Sequence, residues 1–207
     1  DAVPMPRAQP GRWVVGTVKT MADKYGIDTL IQAFALLLAS LQASDPDMAR
    51  QLHLRLVGDG PQMSALKQLA AHLGVAERVQ FVGHVDHAQV PHELAQLDVY
   101  VALSRLDSES FGVAIIEAGA AARPVVVSDA GGLPEVVLDG VTGLVVPREN
   151  PQAAADAIEC LLCDADLRQR MGAAARRHVA QHYSWDACVE TMLKVYERLV
   201  ARHRSSR

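Results

Sequence analysis

Short apolar runs alternate along the chain with longer stretches whose apolar residues recur at helical spacing. Trp13–Val18 is apolar and ends at a polar loop, which predicts a strand. Ile27–Ala43 has the 3.6-residue period of an amphipathic helix, with Asp28 available to cap its start. Leu52–Gly58 reads as a second strand stopped by Gly58-Asp59-Gly60-Pro61. Pro61 suits the first turn of a helix running to Leu73 and ending at Gly74. Val79–Gly83 predicts a strand, Val90–Leu97 a short helix and Val99–Ser104 the next strand. Gly112–Ala122 is a small-residue helix, Pro124–Ser128 a strand and Leu144–Val146 a last short strand. Asn150-Pro151 is a strong helix start, and the remainder reads helical with breaks near Asp164 and at Ser184.

Strands that alternate with helices pair in parallel through right-handed crossovers. Near-continuous apolar strands such as Val125-Val126-Val127 suit a sheet covered on both faces. The expected fold is α/β, a doubly wound, Rossmann-like parallel sheet with strand order 3-2-1-4-5-6. In such a sheet a ligand binds outside the carboxyl ends of the strands, where the order reverses, here between the first and fourth strands. The loops that meet there are Gly16–Gly26, Ser104–Gly112 and, after the fifth strand, Asp129–Glu135. They are polar and punctuated by glycine.

Composition narrows the class. Half of the 207 residues are hydrophobic and 21% are charged, as in a folded globular chain. Aromatic residues are only 4%, so aliphatic side chains and alanine fill the core. A net charge of −4 argues against a general nucleic-acid binder. Three cysteines cannot all pair, and a reducing compartment suits them better than a disulfide scaffold. Cys160 and Cys163 spell C-L-L-C, yet no second pair completes a metal site, and they read as an i,i+3 pair on the apolar face of a helix. No apolar run reaches the roughly 18 residues of a membrane span. The Pro-rich start and the absence of an initiator Met read as a linker with something before it.

Each loop offers chemistry. Lys19 and Lys24 stand near glycines between a strand and a helix, where ammonium groups bind phosphate oxygens. A helix that opens at Glu109-Ser110-Phe111-Gly112 points backbone N–H groups at an anion, and Glu117 lies one to two turns inside it. A carboxylate there suits a pair of sugar hydroxyls rather than a phosphate. Other motifs fail. Gly58-Asp59-Gly60 lacks the third glycine of a dinucleotide fingerprint, and neither a Walker sequence nor a G-x-S-x-G elbow is present. The eight histidines show no metal-ligand spacing, and His84 and His87 read as solvated.

At these residues the chain resembles the carboxy-terminal, nucleotide-sugar-binding half of retaining GT-B glycosyltransferases of the group 1 (family 4) type. The E-x7-E pattern runs from Glu109 to Glu117. Val57-Gly58-Asp59-Gly60-Pro61 and Phe81-Val82-Gly83 precede it; Gly131-Gly132-Leu133-Pro134-Glu135 and Asp139-Gly140-Val141-Thr142-Gly143-Leu144-Val145-Val146-Pro147 follow. The resemblance covers about Val14 to Leu199.

It implies a division into a linker remnant (1–11), a nucleotide-sugar-binding domain (12–183) and a last helix (184–207) that packs toward an absent amino-terminal domain. It implies transfer of a sugar, with retention, from a UDP- or GDP-linked donor to a saccharide or lipid-linked acceptor held by that absent domain. Assembly of lipopolysaccharide, capsule or glycolipid is the expected task. Glu109 would be catalytic, approaching the donor sugar, and Glu117 would hold the ribose. The backbone at Ser110, Phe111, Gly112 and Val113 would meet the sugar and the distal phosphate, and Gly83, His84 and Val85 would border the base. Where the family often has an Arg directly after the first loop's glycine, this chain has Thr17. Lys19 is the candidate to replace that Arg, and Lys24 fits the family's later Lys, with Tyr25 inserted before Gly26.

Neither metal nor cofactor is expected, since Asp45-Pro46-Asp47 lies at the wrong edge to act as a D-x-D motif. A cytoplasmic location follows, at the inner face of the plasma membrane if the basic end (Arg198, Arg202, Arg204, Arg207) touches anionic lipid rather than forming a solvated tail. A non-catalytic nucleotide-sugar-binding module, or another GT-B reaction such as epimerisation, are the alternatives.

Overall fold

Six strands form one sheet: β1 (Trp13–Val18), β2 (Leu52–Val57), β3 (Val79–Gly83), β4 (Val99–Ala102), β5 (Val125–Ser128) and β6 (Gly143–Val146). Their order is β3-β2-β1-β4-β5-β6 and every pairing is parallel, as the alternation of strand and helix predicts. The structure is a computed structural model and describes residues 11–108 and 111–205. The linker residues 1–10, Glu109, Ser110 and Arg207 lie outside the described residues.

Successive residues of a strand face opposite sides, and both sides are buried here. Trp13 and Val15 join Leu54, Leu56, Val101 and Val126 on one face. Helix α1 (Ile27–Ser44) covers that face with Phe34, Leu37 and Leu41, and α7 (Pro151–Cys163) adds Ile158 and Leu161. Val14, Tyr100, Val125 and Val127 face the other way. They meet Val90 and Leu94 of α4 (Val90–Ala95), Ile115 and Ala118 of α5 (Val113–Ala120), and Leu133 and Val136 of α6 (Leu133–Val136). The remaining helices are α2 (Pro46–Gln51), α3 (Met63–His72), α8 (Ala165–His182) and α9 (Trp185–Ser205). By length and hydropathy α1 passes as a membrane span, with 18 residues of mean hydropathy 1.4. Much of its apolar surface is instead core: Phe34, Leu37 and Leu41 are fully buried.

Several local expectations change. Asp28 does not cap α1; Gly26 occupies the cap, and Asp28 accepts a hydrogen bond from Arg105 at 2.6 Å. Pro61 precedes α3 rather than opening it, because Gln62 folds back to donate its N–H to Met21. Asp45 caps α2 by accepting from the Met48 N–H at 3.0 Å, a helix that its apolar pattern did not announce. Cys160 and Cys163 are exposed, not on the apolar face. The buried stripe of α7 is Ala154, Ala155, Ile158, Leu161 and Leu162, and positions two and five beyond Ile158 turn away from it. Asn150, Asp164 and Ser184 each accept from an N–H three residues on, which fixes the breaks that the sequence predicts.

Gly26 joins fold to site. It has φ of +60°, and a Cβ on it would collide with the Leu103 carbonyl oxygen at the end of β4. Gly26→Ala should therefore destabilise the chain by about 1–3 kcal/mol. Chemical denaturation measures this, and an unchanged midpoint would show that the loop is not pinned against β4.

Candidate functional site

The carboxyl edge of the sheet carries the three loops, and backbone contacts lock them together. After β1 the chain lies on the Gly58-Asp59-Gly60-Pro61 segment: the Lys19 N–H donates to the Val57 carbonyl at 2.9 Å and the Met21 N–H to the Asp59 carbonyl at 3.0 Å. Gly58, at φ +131°, leaves room for the Lys19 carbonyl where a side chain would not fit. The Gly-Asp-Gly-Pro motif is thus a bed for the β1 loop. At the loop's far end the Arg105 N–H donates to the Lys24 carbonyl at 2.9 Å, tying β1's loop to β4's. The Nζ atoms of Lys19 and Lys24 stand 4.5 and 4.8 Å from the centroid of the Tyr25 ring.

Two arginines that the sequence reading did not single out hold the rest. Arg105 donates to Asp23 and Asp28, each at 2.6 Å, and lies 3.7 Å from Glu149. The hydrogen bond to Asp28 leads in holding its guanidinium protonated, against the opposing effect of burial. Arg148 donates to Asp107 at 2.9 Å, to the Asp129 carboxylate at 3.2 Å and to the Asp129 carbonyl at 2.7 Å. Asp107 also accepts from the Gly131 N–H at 3.2 Å, so the loops after β4 and β5 share one clasp. The hydrogen bond from Arg148, then that from Gly131, holds the Asp107 carboxyl below its ordinary range. Each arginine directly follows a loop entry at a strand's carboxyl end, in Ser104-Arg105 and Pro147-Arg148. That position was the available signal.

Beyond this clasp, Glu109 and Ser110 lie outside the described residues. Phe111 packs its ring edge-on against Tyr183, centroids 5.8 Å apart, and so ties the entry of α5 to the end of α8. Gly112, at φ +66°, caps α5 over Leu133. The Ile115 N–H donates to the Gly112 carbonyl at 2.8 Å, which leaves the N–H groups of Val113 and Ala114 at the helix start without a carbonyl of the helix to meet. Glu117 stands further along α5 with its side chain 30% exposed, and Nδ1 of His87 lies 3.9 Å from its carboxylate. His87 follows the exposed His84 and half-buried Val85 that leave β3 at Gly83, so the β3 loop and α5 border the same ground.

The structure thus gathers Lys19, Lys24, Gly83, His84, Val85, Phe111, Gly112, Val113 and Glu117 on one edge. Thr17 does not join them. It is 1% exposed, and its hydroxyl is covered on the side of the sheet that Trp13 and Val15 occupy. Alternation along β1 turns it into the core, so the side chain is not presented to a ligand. The edge combines partly exposed ammonium groups, a helix start and a half-buried carboxylate. Such a set can hold an anionic group beside a polyol.

Residues 5–178 match the family model described as glycosyl transferases group 1. The chain is 37% identical over 176 residues to a D-inositol 3-phosphate glycosyltransferase of Jonesia denitrificans, covering 84% of this chain and 40% of that protein. It is 36% identical over 179 residues to a GDP-mannose-dependent alpha-(1-6)-phosphatidylinositol monomannoside mannosyltransferase of Mycolicibacterium smegmatis, covering 84% and 45%. The chain therefore spans less than half the length of these curated relatives. Among solved structures it superimposes on Anabaena Alr3699/HepE in complex with UDP with a TM-score of 0.78 at 27% identity, covering 92% of this chain and 49% of that one. The C-terminal domain of a glycosyl transferase group 1 family protein (LpcC) from Francisella tularensis gives a TM-score of 0.74 at 23% identity, covering 85% and 88%; that likeness shows the fold.

The Arg148 clasp is testable by titration. In the parent chain the Asp107 carboxyl should titrate below its ordinary 3.8, and in Arg148→Gln it should move up toward that value. A depressed folded value contributes stability above about pH 3.8 that is lost as the pH falls toward the folded value. NMR of the side-chain carboxyl reads the shift, and the Gly131 amide should exchange faster in the variant. An unmoved Asp107 titration would mean that Arg148 does not hold this loop.

Proposed function

The chain belongs to the group 1 glycosyl transferases, and from that premise we propose that it is the donor-binding half of an enzyme that moves a sugar from a nucleotide-diphosphate sugar to an acceptor. The observation that carries this reading is one edge on which Lys19, Lys24, the start of α5 and Glu117 converge, with the β3 loop beside Glu117. The relatives' names support the donor class: one is GDP-mannose-dependent, and Anabaena HepE is described in complex with UDP.

The roles follow from charge. When the glycosidic bond to the diphosphate breaks, negative charge grows on the leaving phosphate. The two ammonium groups and the orphan N–H groups of α5 stabilise that charge without a bound metal. Glu117 accepts hydrogen bonds from the two ribose hydroxyls. Gly83, His84 and Val85 border the base, chiefly through backbone groups. Glu109, by its position in the E-x7-E pattern, approaches the sugar. The acceptor enters from the same face that the diphosphate leaves, which retains the anomeric configuration.

The acceptor site belongs to an amino-terminal half. Helix α9 exposes Trp185 (86%), Met192, Leu193 and Tyr196 along its length, and that half would cover them. The relatives act on inositol 3-phosphate and on phosphatidylinositol monomannoside, which supports a phosphorylated polyol, saccharide or lipid-linked acceptor made into a cell-surface glycoconjugate. The work is done in the cytoplasm, at the inner face of the membrane where such acceptors are anchored.

Two experiments test the reading. Calorimetry with UDP-, GDP- and ADP-sugars should show Glu117→Ala losing about 1.5–3 kcal/mol with the preferred donor. Glu109→Ala should weaken the nucleotide sugar while leaving the bare nucleotide diphosphate nearly unchanged. Equal affinity in Glu117→Ala and the parent would remove the ribose assignment. The 207-residue chain should also bind donor in EDTA within a few-fold of its affinity with magnesium, and should transfer no sugar. Orientation of an acceptor accounts for about 7–11 kcal/mol of barrier lowering, and it must come from the other half. Strict metal dependence would overturn the phosphate model; rapid transfer by this chain alone would overturn the division of labour.

A further inference from the structure

The sequence reads His87 as solvated, and its side chain is 89% exposed, yet the backbone that carries it is held in place. His87 opens a 3₁₀ turn, His87–Gln89, between the loop after β3 and α4. The Gln89 N–H donates to the Asp86 carbonyl at 2.8 Å, and the Val90 N–H donates to the His87 carbonyl, so the turn runs directly into α4. Helix α4 is in turn fastened to the sheet. Its buried Glu93 accepts from Arg55 of β2 at 2.7 Å, and Arg55 donates also to Gln80 of β3 at 2.7 Å. Such a pair resists displacement of the helix, because separating the partners strands a buried charge. Val90 and Leu94 of α4 share one apolar cluster with Ile115 and Ala118 of α5. The backbone beneath His87 is therefore fixed relative to α5, while its ring stands in solvent.

The spacing between His87 and Glu117 gives this arrangement a use. Nδ1 lies 3.9 Å from the Glu117 carboxylate, too far for a hydrogen bond. Among the described residues neither side chain has a hydrogen bond or a further ion pair. A hydroxyl oxygen about 2.8 Å from each of the two atoms fits across such a gap. It would donate its proton to the carboxylate and accept from Nδ1–H, which the imidazolium and one neutral tautomer both offer. A carboxylate alone takes a hydroxyl's proton and leaves the hydroxyl's own lone pairs unmet. The imidazole supplies the missing donor.

We infer that His87 is a further donor-binding residue: with Glu117 it brackets the ribose 2′-hydroxyl, and so selects ribonucleotides over 2′-deoxyribonucleotides. The inference rests on the proposed placing of the ribose at Glu117. The choice of hydroxyl follows from the chain's course. His87 belongs to the segment after β3, which borders the base in that reading. Of the two hydroxyls, the 2′ one stands on the carbon next to the one that bears the base. The 3′-hydroxyl is left to Glu117 alone.

The test is calorimetry on the 207-residue chain with UDP and GDP and with the 2′-deoxy and 3′-deoxy forms of each. For the nucleotide that the parent prefers, His87→Ala should weaken the ribo form and the 3′-deoxy form about fivefold each, and the 2′-deoxy form by less than about 1.5-fold. His87→Asn, whose amide N–H can stand where Nδ1 does, should stay within about twofold of the parent. His87→Phe, a ring without a donor, should lose as much as His87→Ala. The side chain is exposed, so these substitutions leave the core untouched. A His87→Ala loss as large for the 2′-deoxy form as for the ribo form, or no loss with any form while Glu117→Ala still weakens the ribo form, would overturn the inference and leave the donor site standing. A Glu117→Ala chain that binds UDP and GDP as the parent does would overturn the ribose placing and the inference together.

Discussion

The constraint on which everything else depends is parallel pairing. A parallel sheet cannot be closed by hairpins, so each strand is followed by a crossover and all strand ends of one polarity collect on one edge. Both faces are consumed by burial: Trp13 and Val15 under α1 and α7, Val14 and Tyr100 under α4, α5 and α6. Ligand chemistry is left with the carboxyl edge, and within that edge with the gap between β1 and β4, where the strand order turns. The loops there need not build a scaffold. They need only be held to one another.

Charge does that holding, and it divides by residue type. Arg105 and Arg148 are engaged by Asp23, Asp28, Glu149, Asp107 and Asp129, with the forked geometry that lets one guanidinium bridge two segments. The lysines of the β1 loop stand differently, with their Nζ atoms 4.5 and 4.8 Å from the centroid of the Tyr25 ring. The edge therefore separates groups that fasten loops from groups that can meet an anion, and in the proposed reading that separation lets the site bind a diphosphate without loosening its own walls.

Strand order and the three loops were legible in the sequence because periodicity and glycine punctuation report local burial, and topology follows from alternation. The misreadings share a different cause. Asp28 looks like a cap, and only Arg105, 77 residues away, decides otherwise. Thr17 sits at a motif position, but the parity of β1 turns it into the core. Cys160 and Cys163 are three apart, as a helical face requires, yet the stripe through Ile158 runs on the other side of α7. Spacing says which residues share a face; which face is buried depends on partners far along the chain. The Arg148 clasp was invisible for the same reason, since Asp107, Asp129 and Arg148 come from three separate loops.

In the proposed reading one half of a two-domain enzyme carries the donor site, and the edge is indeed assembled from contacts within this chain. Each proposed donor contact among the described residues stands on an element fixed within this chain: Lys19 by Val57, Lys24 by Arg105, the α5 entry by Tyr183. None of these supports involves α9, whose apolar residues face outward. If the chain works as proposed, the forces that stabilise a departing diphosphate and those that orient an acceptor have separate structural origins. In the proposed reading, leaving-group stabilisation is settled by the sequence from β1 to α8, whereas the identity of the acceptor is written in the other half. On that reading the edge recognises what departs, and the nature of what attacks imposes no constraint on it.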